Sequence, residues 1–307
     1  MKVRLACLLL LLLSAARVNG DDVEAYRKAC DGGQALSCYN LGVLYSRGEG
    51  GLTADPAKAA ELFAKACDGG EADGCSNLGI MVSLGDGGLA QDPAKAETLF
   101  RKACDGGAAN GCSNLGVMYL QGMGGLAADP AKAVEFFAKA CDGGSALSCH
   151  NLGVLYSEGR GGLTVDLAKA VELYRKACDG GWAPGCHNLG NSYANGEGGL
   201  TANPAKAAEL YRKACDGGWA GGCQLLGLLY ANGKGGLTAD PMKAVELFRK
   251  ACDSNLAAGC ENLGNSYAKG EDGLTADPAK AAELYDKACK GGDQRGCAEL
   301  KKLRPTP

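Results

Sequence analysis

Cysteine is the residue type with the greatest potential for chemistry in this sequence. The 307 residues include seventeen cysteines, and sixteen of these form eight pairs, eight residues apart within a pair and 37 residues from one pair to the next. An even number of regularly spaced cysteines is typical of a disulfide framework. Because each of the sixteen has its nearest partner eight residues away, the spacing predicts eight local disulfides. The predicted pairs are Cys30–Cys38, Cys67–Cys75, Cys104–Cys112, Cys141–Cys149, Cys178–Cys186, Cys215–Cys223, Cys252–Cys260 and Cys289–Cys297.

Other residue patterns that could support chemistry are weak. Zinc is the alternative for the cysteines, but C-x7-C is not zinc-ligand spacing, and His150 and His187 are the only histidines. These two occupy equivalent positions in adjacent repeats, so we predict two solvated side chains about 10 Å apart, too far for one metal ion. Ser266 and Lys269 form the Ser-x-x-Lys pattern of penicillin-binding hydrolases, but the accompanying Ser-Asp-Asn and Lys-Thr-Gly motifs are absent. The sequence predicts no catalytic residue, no metal site and no cofactor.

The N-terminal segment, residues 1–20, has the pattern of a secretory signal peptide. Lys2 and Arg4 precede a leucine-rich apolar run, and small residues follow it. Cys7, the seventeenth cysteine, falls inside this segment. A mitochondrial presequence is the alternative because the segment lacks acidic residues, although consecutive leucines provide no polar face. We therefore predict a secreted protein, periplasmic if bacterial, with the mitochondrial intermembrane space as the alternative.

Charge and hydropathy exclude several classes of partner. Removing the three basic residues of the leader leaves 29 basic and 35 acidic side chains, a net charge of −6. A protein that follows a phosphate backbone needs a basic stripe, and none is visible, so we expect no nucleic-acid partner. No later apolar run is long enough to cross a membrane, so we expect a soluble mature chain without a membrane partner.

The 37-residue period marks an array of eight helix hairpins. The first helix of a repeat begins at Asp-Pro or Asn-Pro, as at Asp240-Pro241 and Asn203-Pro204, because the polar side chain caps exposed amides and proline suits the first helical position. Apolar residues then recur at helical spacing until Asp-Gly-Gly ends the helix. The second helix has a glycine at its centre, such as Gly190, which costs about 1 kcal/mol relative to alanine. This cost indicates a neighbouring helix that approaches closely.

A few positions depart from the repeat. Leu167 replaces the proline of one repeat, Leu225 an asparagine, and Lys290 the aspartate of the turn. Charged residues in the final repeat replace the usual Asn, Gly and Tyr, which predicts a polar cap. We predict one array over residues 21–304 and a short tail over residues 305–307.

The repeated motif Asn-Leu-Gly-x-x-Tyr-x-x-Gly, followed by Asp-x-x-Lys-Ala-x-x-Tyr/Phe-x-Lys-Ala-Cys, resembles the Sel1-like repeat, a relative of the tetratricopeptide repeat. With C-x7-C in every unit, the chain resembles the secreted, cysteine-rich branch of that family first described in Helicobacter. The resemblance implies a right-handed α-solenoid of eight disulfide-linked hairpins and a role in protein interactions. It also implies two alternatives, a slow penicillin-binding or β-lactam-hydrolysing protein and an assembly factor of the mitochondrial intermembrane space.

By analogy with tetratricopeptide arrays, the resemblance places second-helix positions equivalent to 39, 43 and 47 on a concave binding face. These positions vary between repeats, whereas the flanking Leu, Gly and Tyr recur. Asparagines accumulate from His187 onward, and an asparagine side chain can pair with a peptide backbone as donor and acceptor. The alternative is a solvated face without a ligand. The candidate binding residues are Tyr39, Arg47, His150, Glu158, His187, Asn191, Asn195, Gln224, Asn232, Asn265 and Lys269.

The only two tryptophans, Trp182 and Trp219, follow Gly-Gly in consecutive repeats. Exposed aromatic residues can anchor a partner, although such residues more often pack over a neighbouring turn. Taken together, the sequence predicts an all-α scaffold that binds a protein or peptide ligand as a monomer, with enzyme activity not expected.

Overall fold

The computed structural model describes residues 20–270 and 273–303, and all regular structure in these residues is helical. Except for Gly20, the predicted signal peptide lies outside the described residues, as do Arg304 and the predicted tail. The predicted all-α array of eight hairpins with a 37-residue period is confirmed. The helices are α1 (Gly20–Asp31), α2 (Ala35–Arg47), α3 (Pro56–Asp68), α4 (Ala72–Leu84), α5 (Pro93–Asp105), α6 (Ala109–Gln121), α7 (Pro130–Asp142), α8 (Ala146–Glu158), α9 (Leu167–Asp179), α10 (Ala183–Asn195), α11 (Pro204–Asp216), α12 (Ala220–Asn232), α13 (Pro241–Asp253), α14 (Ala257–Lys269), α15 (Pro278–Lys290) and α16 (Gln294–Leu303).

Odd-numbered helices are the first helices of the repeats, and from α3 to α15 each begins after a capping Asp or Asn. The side chain of Asp240, for example, accepts a hydrogen bond from the amide of Lys243 at 3.0 Å. Asp166 caps α9 in the same way, although Leu167 replaces the proline there. The predicted helix starts are confirmed, and the cap suffices without proline.

The turn between the two helices of a repeat depends on one left-handed residue. In the Gly180-Gly181 turn, Gly180 has φ −77° and Gly181 has φ +82°, so only the second glycine needs left-handed backbone. Asn255 takes the same place after α13 with φ +61°, and it is the one non-glycine residue of the described chain with positive φ. Asparagine tolerates this conformation better than most residues.

In the seven second helices from α2 to α14, the central glycine lies against an aromatic ring of the next first helix. A Cβ atom at Gly190 would lie 2.7 Å from Cε1 of Tyr211, and one at Gly227 would lie 2.7 Å from Cε1 of Phe248. The predicted close approach is confirmed, because any side chain here would displace a buried ring. The pairs are Gly42–Phe63, Gly79–Phe100, Gly116–Phe137, Gly153–Tyr174, Gly190–Tyr211, Gly227–Phe248 and Gly264–Tyr285.

All eight predicted disulfides are present, each joining the end of a first helix to the start of the second. In the Cys178–Cys186 pair the Cα atoms are 4.4 Å apart, and both side chains are buried. A framework of this density indicates an oxidising compartment, since reducing compartments keep thiols unpaired.

The array divides within α6 into two compact units. One comprises residues up to 115 with residues 123–126, and the other comprises residues 116–122 with those from 127 onward. In the second unit, core residues of consecutive repeats form one continuous cluster that includes Tyr211, Phe248 and Tyr285. Among the residues that the structure describes, no helix is both long and apolar enough to cross a membrane.

Candidate functional site

The candidate binding residues lie on the second helices, three positions to a helix. Positions i, i+4 and i+8 share one helix face, and we call the positions equivalent to 187, 191 and 195 the second-helix row. The first position of a set is buried or half-buried and the third is exposed, as for His187 and Asn195. Side chains at the third position are therefore available to a partner, whereas those at the first position are largely covered by neighbouring residues.

Asn191 is held in one orientation by two hydrogen bonds. Its Oδ1 accepts a hydrogen bond from the hydroxyl of Tyr211 at 2.8 Å, and its Nδ2 donates to Nε2 of His187 at 3.3 Å. Burial raises the pKa of Tyr211 to about 12, so the hydroxyl remains a donor over the physiological range. One N–H and one lone pair of the amide remain for a ligand, because an asparagine side chain has two of each.

Asn265 repeats this arrangement two helix pairs further along the chain. Its Oδ1 accepts a hydrogen bond from the hydroxyl of Tyr285 at 2.7 Å, and its Nδ2 donates to Oε1 of Glu261 at 2.8 Å. The Glu261 side chain is 7% exposed, and its second oxygen lies 3.5 Å from the guanidinium of Arg295. The row thus presents two amides in fixed orientations, each set by a tyrosine of the following first helix.

Several outer positions of the row contact their own helix or loop. Nδ2 of Asn195 donates to Glu197 at 3.0 Å, and Nδ2 of Asn232 donates to a backbone carbonyl of its own helix at 2.7 Å. Glu158 forms an exposed ion pair with Arg160 at 3.0 Å. Arg47 and Lys269 are exposed, and Tyr39 and Gln224 are half-buried.

The two histidines pack against aromatic rings, so the prediction of solvated histidines was wrong. The ring centroid of His150 lies 6.0 Å from that of Tyr174 and 6.5 Å from that of Trp182. His187 repeats the geometry with Tyr211 at 5.9 Å and Trp219 at 6.2 Å. Each tryptophan stands at the turn of the following repeat and covers the histidine of the repeat before it.

The asparagine that recurs in the repeated motif makes hydrogen bonds that the sequence pattern did not identify. Nδ2 of Asn188 donates to Nε2 of His150 at 3.1 Å, and Nδ1 of His150 lies 3.4 Å from Oδ1 of Asn151. This pattern fits a neutral imidazole, which accepts at one nitrogen and donates at the other. Recurrence of asparagine at this motif position in six repeats was the available signal.

We expect acid to weaken the folded array through these histidines. Burial lowers the pKa of both His150 and His187, and the charge of His150 further lowers that of His187. A lowered folded pKa means that the histidine contribution to folding is fully present above about pH 6.5, the unfolded value, and is lost as the pH falls below it.

Urea unfolding at pH 7.5 and pH 5.5 measures this effect in the wild type and in a His150→Gln/His187→Gln variant. The wild type should lose more of its free energy of unfolding between the two pH values than the variant does. Equal losses in the two proteins would contradict the proposed role of the two half-buried histidines.

The structure gives the Ser-x-x-Lys pattern a structural explanation. Ser266 is 5% exposed, and its hydroxyl donates to the backbone carbonyl of Asn262 at 3.4 Å within the same helix. A nucleophile must reach a substrate that arrives from solvent, and this geometry does not provide that access. Within residues 20–270 and 273–303, no group of three or more His, Cys, Asp or Glu side chains could hold a metal ion.

The sequence model of the Sel1 repeat matches seven segments, residues 35–71, 72–107, 109–145, 146–182, 183–219, 220–256 and 257–293. The chain belongs to the Sel1 repeat family. In this frame a Sel1 repeat begins with a second helix and ends with the next first helix. The disulfides therefore link successive Sel1 repeats and join α1 and α16 to the two ends of the series.

Solved structures include several similar Sel1 proteins. The chain is 31% identical, with a TM-score of 0.74, to c5321, a protective antigen present in uropathogenic Escherichia coli strains; the alignment covers 92% of this chain and 59% of that one. It is 26% identical, with a TM-score of 0.68, to a Sel1 repeat protein from Oxalobacter formigenes, covering 92% of this chain and 80% of that one. The chain thus spans about three fifths of the length of the E. coli protein.

Helicobacter pylori cysteine rich protein B is also similar, with 32% identity over 45% of this chain and 98% of that one, at a TM-score of 0.36. No curated protein matches the chain.

Proposed function

We propose that this Sel1 repeat chain is a secreted scaffold that binds another protein, or a peptide segment of one, along the second-helix row. In this proposal a signal peptide over residues 1–20 is removed, residues 21–304 form the array, and the protein acts as a monomer. Membership of the Sel1 family supports a protein partner, because solenoid repeats offer an extended surface of this kind.

The observation that carries the proposal is the fixed orientation of Asn191 and Asn265. Both amides lie on the row, both are oriented by a buried tyrosine, and both keep a donor and an acceptor for a ligand. A polar group that is already oriented loses less conformational entropy on binding. An extended polypeptide offers the matching donors and acceptors along its backbone.

Trp219 adds apolar surface beside these amides. Its side chain is 42% exposed and packs against His187, which lies one helical turn before Asn191. Tryptophan is enriched among the residues that contribute most to binding at protein interfaces. The region around α10 and α12 is therefore the part of the row where we expect a partner to be held most strongly.

The disulfides support an extracellular location, or a periplasmic one in a bacterium. Eight disulfides favour an oxidising compartment, and the mitochondrial intermembrane space is the alternative that meets the same condition. A fusion of residues 1–20 to a reporter protein separates the two, since a secreted reporter supports the proposal and a mitochondrial one contradicts it.

We expect that changing Asn191, Asn195 and Asn232 together to alanine reduces capture of the partner at least about tenfold, as hydrogen-bonded interface residues do. Immobilised protein would be exposed to extracellular fluid of the source organism, and bound proteins would be identified by mass spectrometry. The matched control changes three exposed first-helix residues, Glu209, Lys213 and Glu246, to alanine.

Circular dichroism and thermal unfolding must first show that both variants keep their helices. The proposal predicts that the control captures the same proteins as the wild type and that the asparagine variant does not. Equal capture by all three proteins would contradict the role of the second-helix row.

A further inference from the structure

One disulfide differs from the other seven in its exposure. Fourteen of the sixteen paired cysteines have side chains no more than 9% exposed, whereas Cys289 and Cys297 are both half-buried. In six other repeats the second helix packs closely against the first helix of the next repeat, in the pairs α2–α3, α4–α5, α8–α9, α10–α11, α12–α13 and α14–α15. The ten residues of α16 bury only Gly296. A small reagent can therefore reach this disulfide more easily than the others.

The charge beside this disulfide is also different. Lys290 follows Cys289 directly, and its side chain is 77% exposed. Acidic neighbours partly offset it, since Lys290 pairs with Asp286 at 2.6 Å. In the other seven repeats an aspartate follows the first cysteine, namely Asp31, Asp68, Asp105, Asp142, Asp179, Asp216 and Asp253.

Further cations lie on α16 near Cys297. Arg295 is 68% exposed and lies within 4 Å of both Glu261 and Asp293, while Lys301 is exposed one turn after the cysteine. Lys302 pairs with Glu299 at 2.6 Å. Positive charge close to a disulfide attracts an anionic thiolate and stabilises the cysteine thiolate that leaves.

We propose that Cys289–Cys297 is a thiol–disulfide exchange site for small anionic thiols of the glutathione class. The thiolate of the small molecule attacks Sγ of one cysteine, forming a mixed disulfide, while the Sγ–Sγ bond breaks and its electron pair remains on the other cysteine as a thiolate. A second thiolate can then attack the mixed disulfide, releasing the oxidised small molecule and leaving both cysteines reduced. Two small thiols supply the two electrons, and α16 loses its disulfide link to α15.

Timed exposure of the oxidised full chain to glutathione tests the proposal. Samples are quenched with acid, free thiols are alkylated, and peptides are mapped by mass spectrometry. Because access limits exchange, we expect adducts or alkylation at Cys289 and Cys297 to appear about tenfold faster than at any other pair. Simultaneous reaction of all eight pairs, or faster reaction of another pair, would overturn the proposal.

A Lys290→Asp variant restores the charge found in the other repeats and isolates the electrostatic contribution. Its exchange at this disulfide should be about threefold slower at low salt, and about 1 M salt should remove the difference, since exposed charges are screened. The other seven disulfides provide an internal control, because their rates should not change. An unchanged low-salt rate at Cys289 and Cys297 would overturn the electrostatic part of the proposal.

Discussion

Replacing Cys178 and Cys186 together by serine is expected to lower the free energy of unfolding by about 2–3 kcal/mol, from the loss of a short closed loop in the unfolded chain. Two hydroxyls would also replace buried sulfurs, which adds a desolvation cost. Urea unfolding followed by circular dichroism measures the change.

The Cys289→Ser/Cys297→Ser variant is the matched control, because it opens a loop of the same length at a half-buried position. We expect a smaller loss there, since the new hydroxyls remain partly hydrated. Complete reduction of the wild type should abolish the helical signal, because eight such contributions exceed the total stability of roughly 5–15 kcal/mol usual for a protein. Full retention of helix after complete reduction would contradict this account of how the array is stabilised.

Replacing Gly227 by alanine is expected to destabilise the array by about 2 kcal/mol, although alanine is the better helix former. The new Cβ would lie 2.7 Å from Cε1 and 2.9 Å from Cδ1 of Phe248, a residue that is 4% exposed. Because the clash exceeds the gain in helix propensity, the net effect should be a loss of stability.

A double-mutant cycle with Phe248→Leu tests the cause. The single Phe248→Leu variant should cost stability through lost packing, but in its presence Gly227→Ala should become nearly neutral. The loss of unfolding free energy in the double variant should therefore be smaller than the sum of the two single-variant losses by about 1 kcal/mol or more. Additive effects would show that the ring does not determine the need for glycine.

Much of the fold could be predicted because its determinants are local. Asp or Asn before the first helices, Gly-Gly after them and the eight-residue cysteine spacing all act within one hairpin. Asp166 shows the strength of this local code, since α9 starts in the expected place although Leu167 replaces proline. The central glycines indicated close contact, but the sequence did not identify the aromatic rings that fill the space, because these rings belong to the following repeat.

The candidate site was harder to predict because its contacts cross from one repeat to the next. His187 and Trp219 are 32 residues apart in sequence, and no local pattern indicates that the rings meet. A longer-range signal was nevertheless present. In two repeats the middle residue of the row is an asparagine, Asn191 or Asn265, and a tyrosine lies twenty residues later. Wherever the residue twenty positions later is phenylalanine, the middle residue of the row is apolar.

This pairing has a simple physical origin. A buried tyrosine hydroxyl needs a hydrogen-bond partner, and the row residue of the preceding helix is within reach. Tyr174 is the exception, because Val154 occupies its row position and the hydroxyl donates to Ser157 at 3.1 Å instead. The polar character of the row is thus set partly by the aromatic residues that fill the core.

Site-specific photo-crosslinking tests the central claim most directly. A photoreactive amino acid would replace Asn195, which is exposed on the second-helix row, or Glu209, which is exposed on a first helix, in otherwise unchanged protein. After incubation in extracellular fluid of the source organism and irradiation, covalent adducts would be resolved by electrophoresis and identified by mass spectrometry. The account predicts a protein adduct from position 195 and none from position 209. An adduct only from position 209, or none from either position, would contradict binding along the second-helix row.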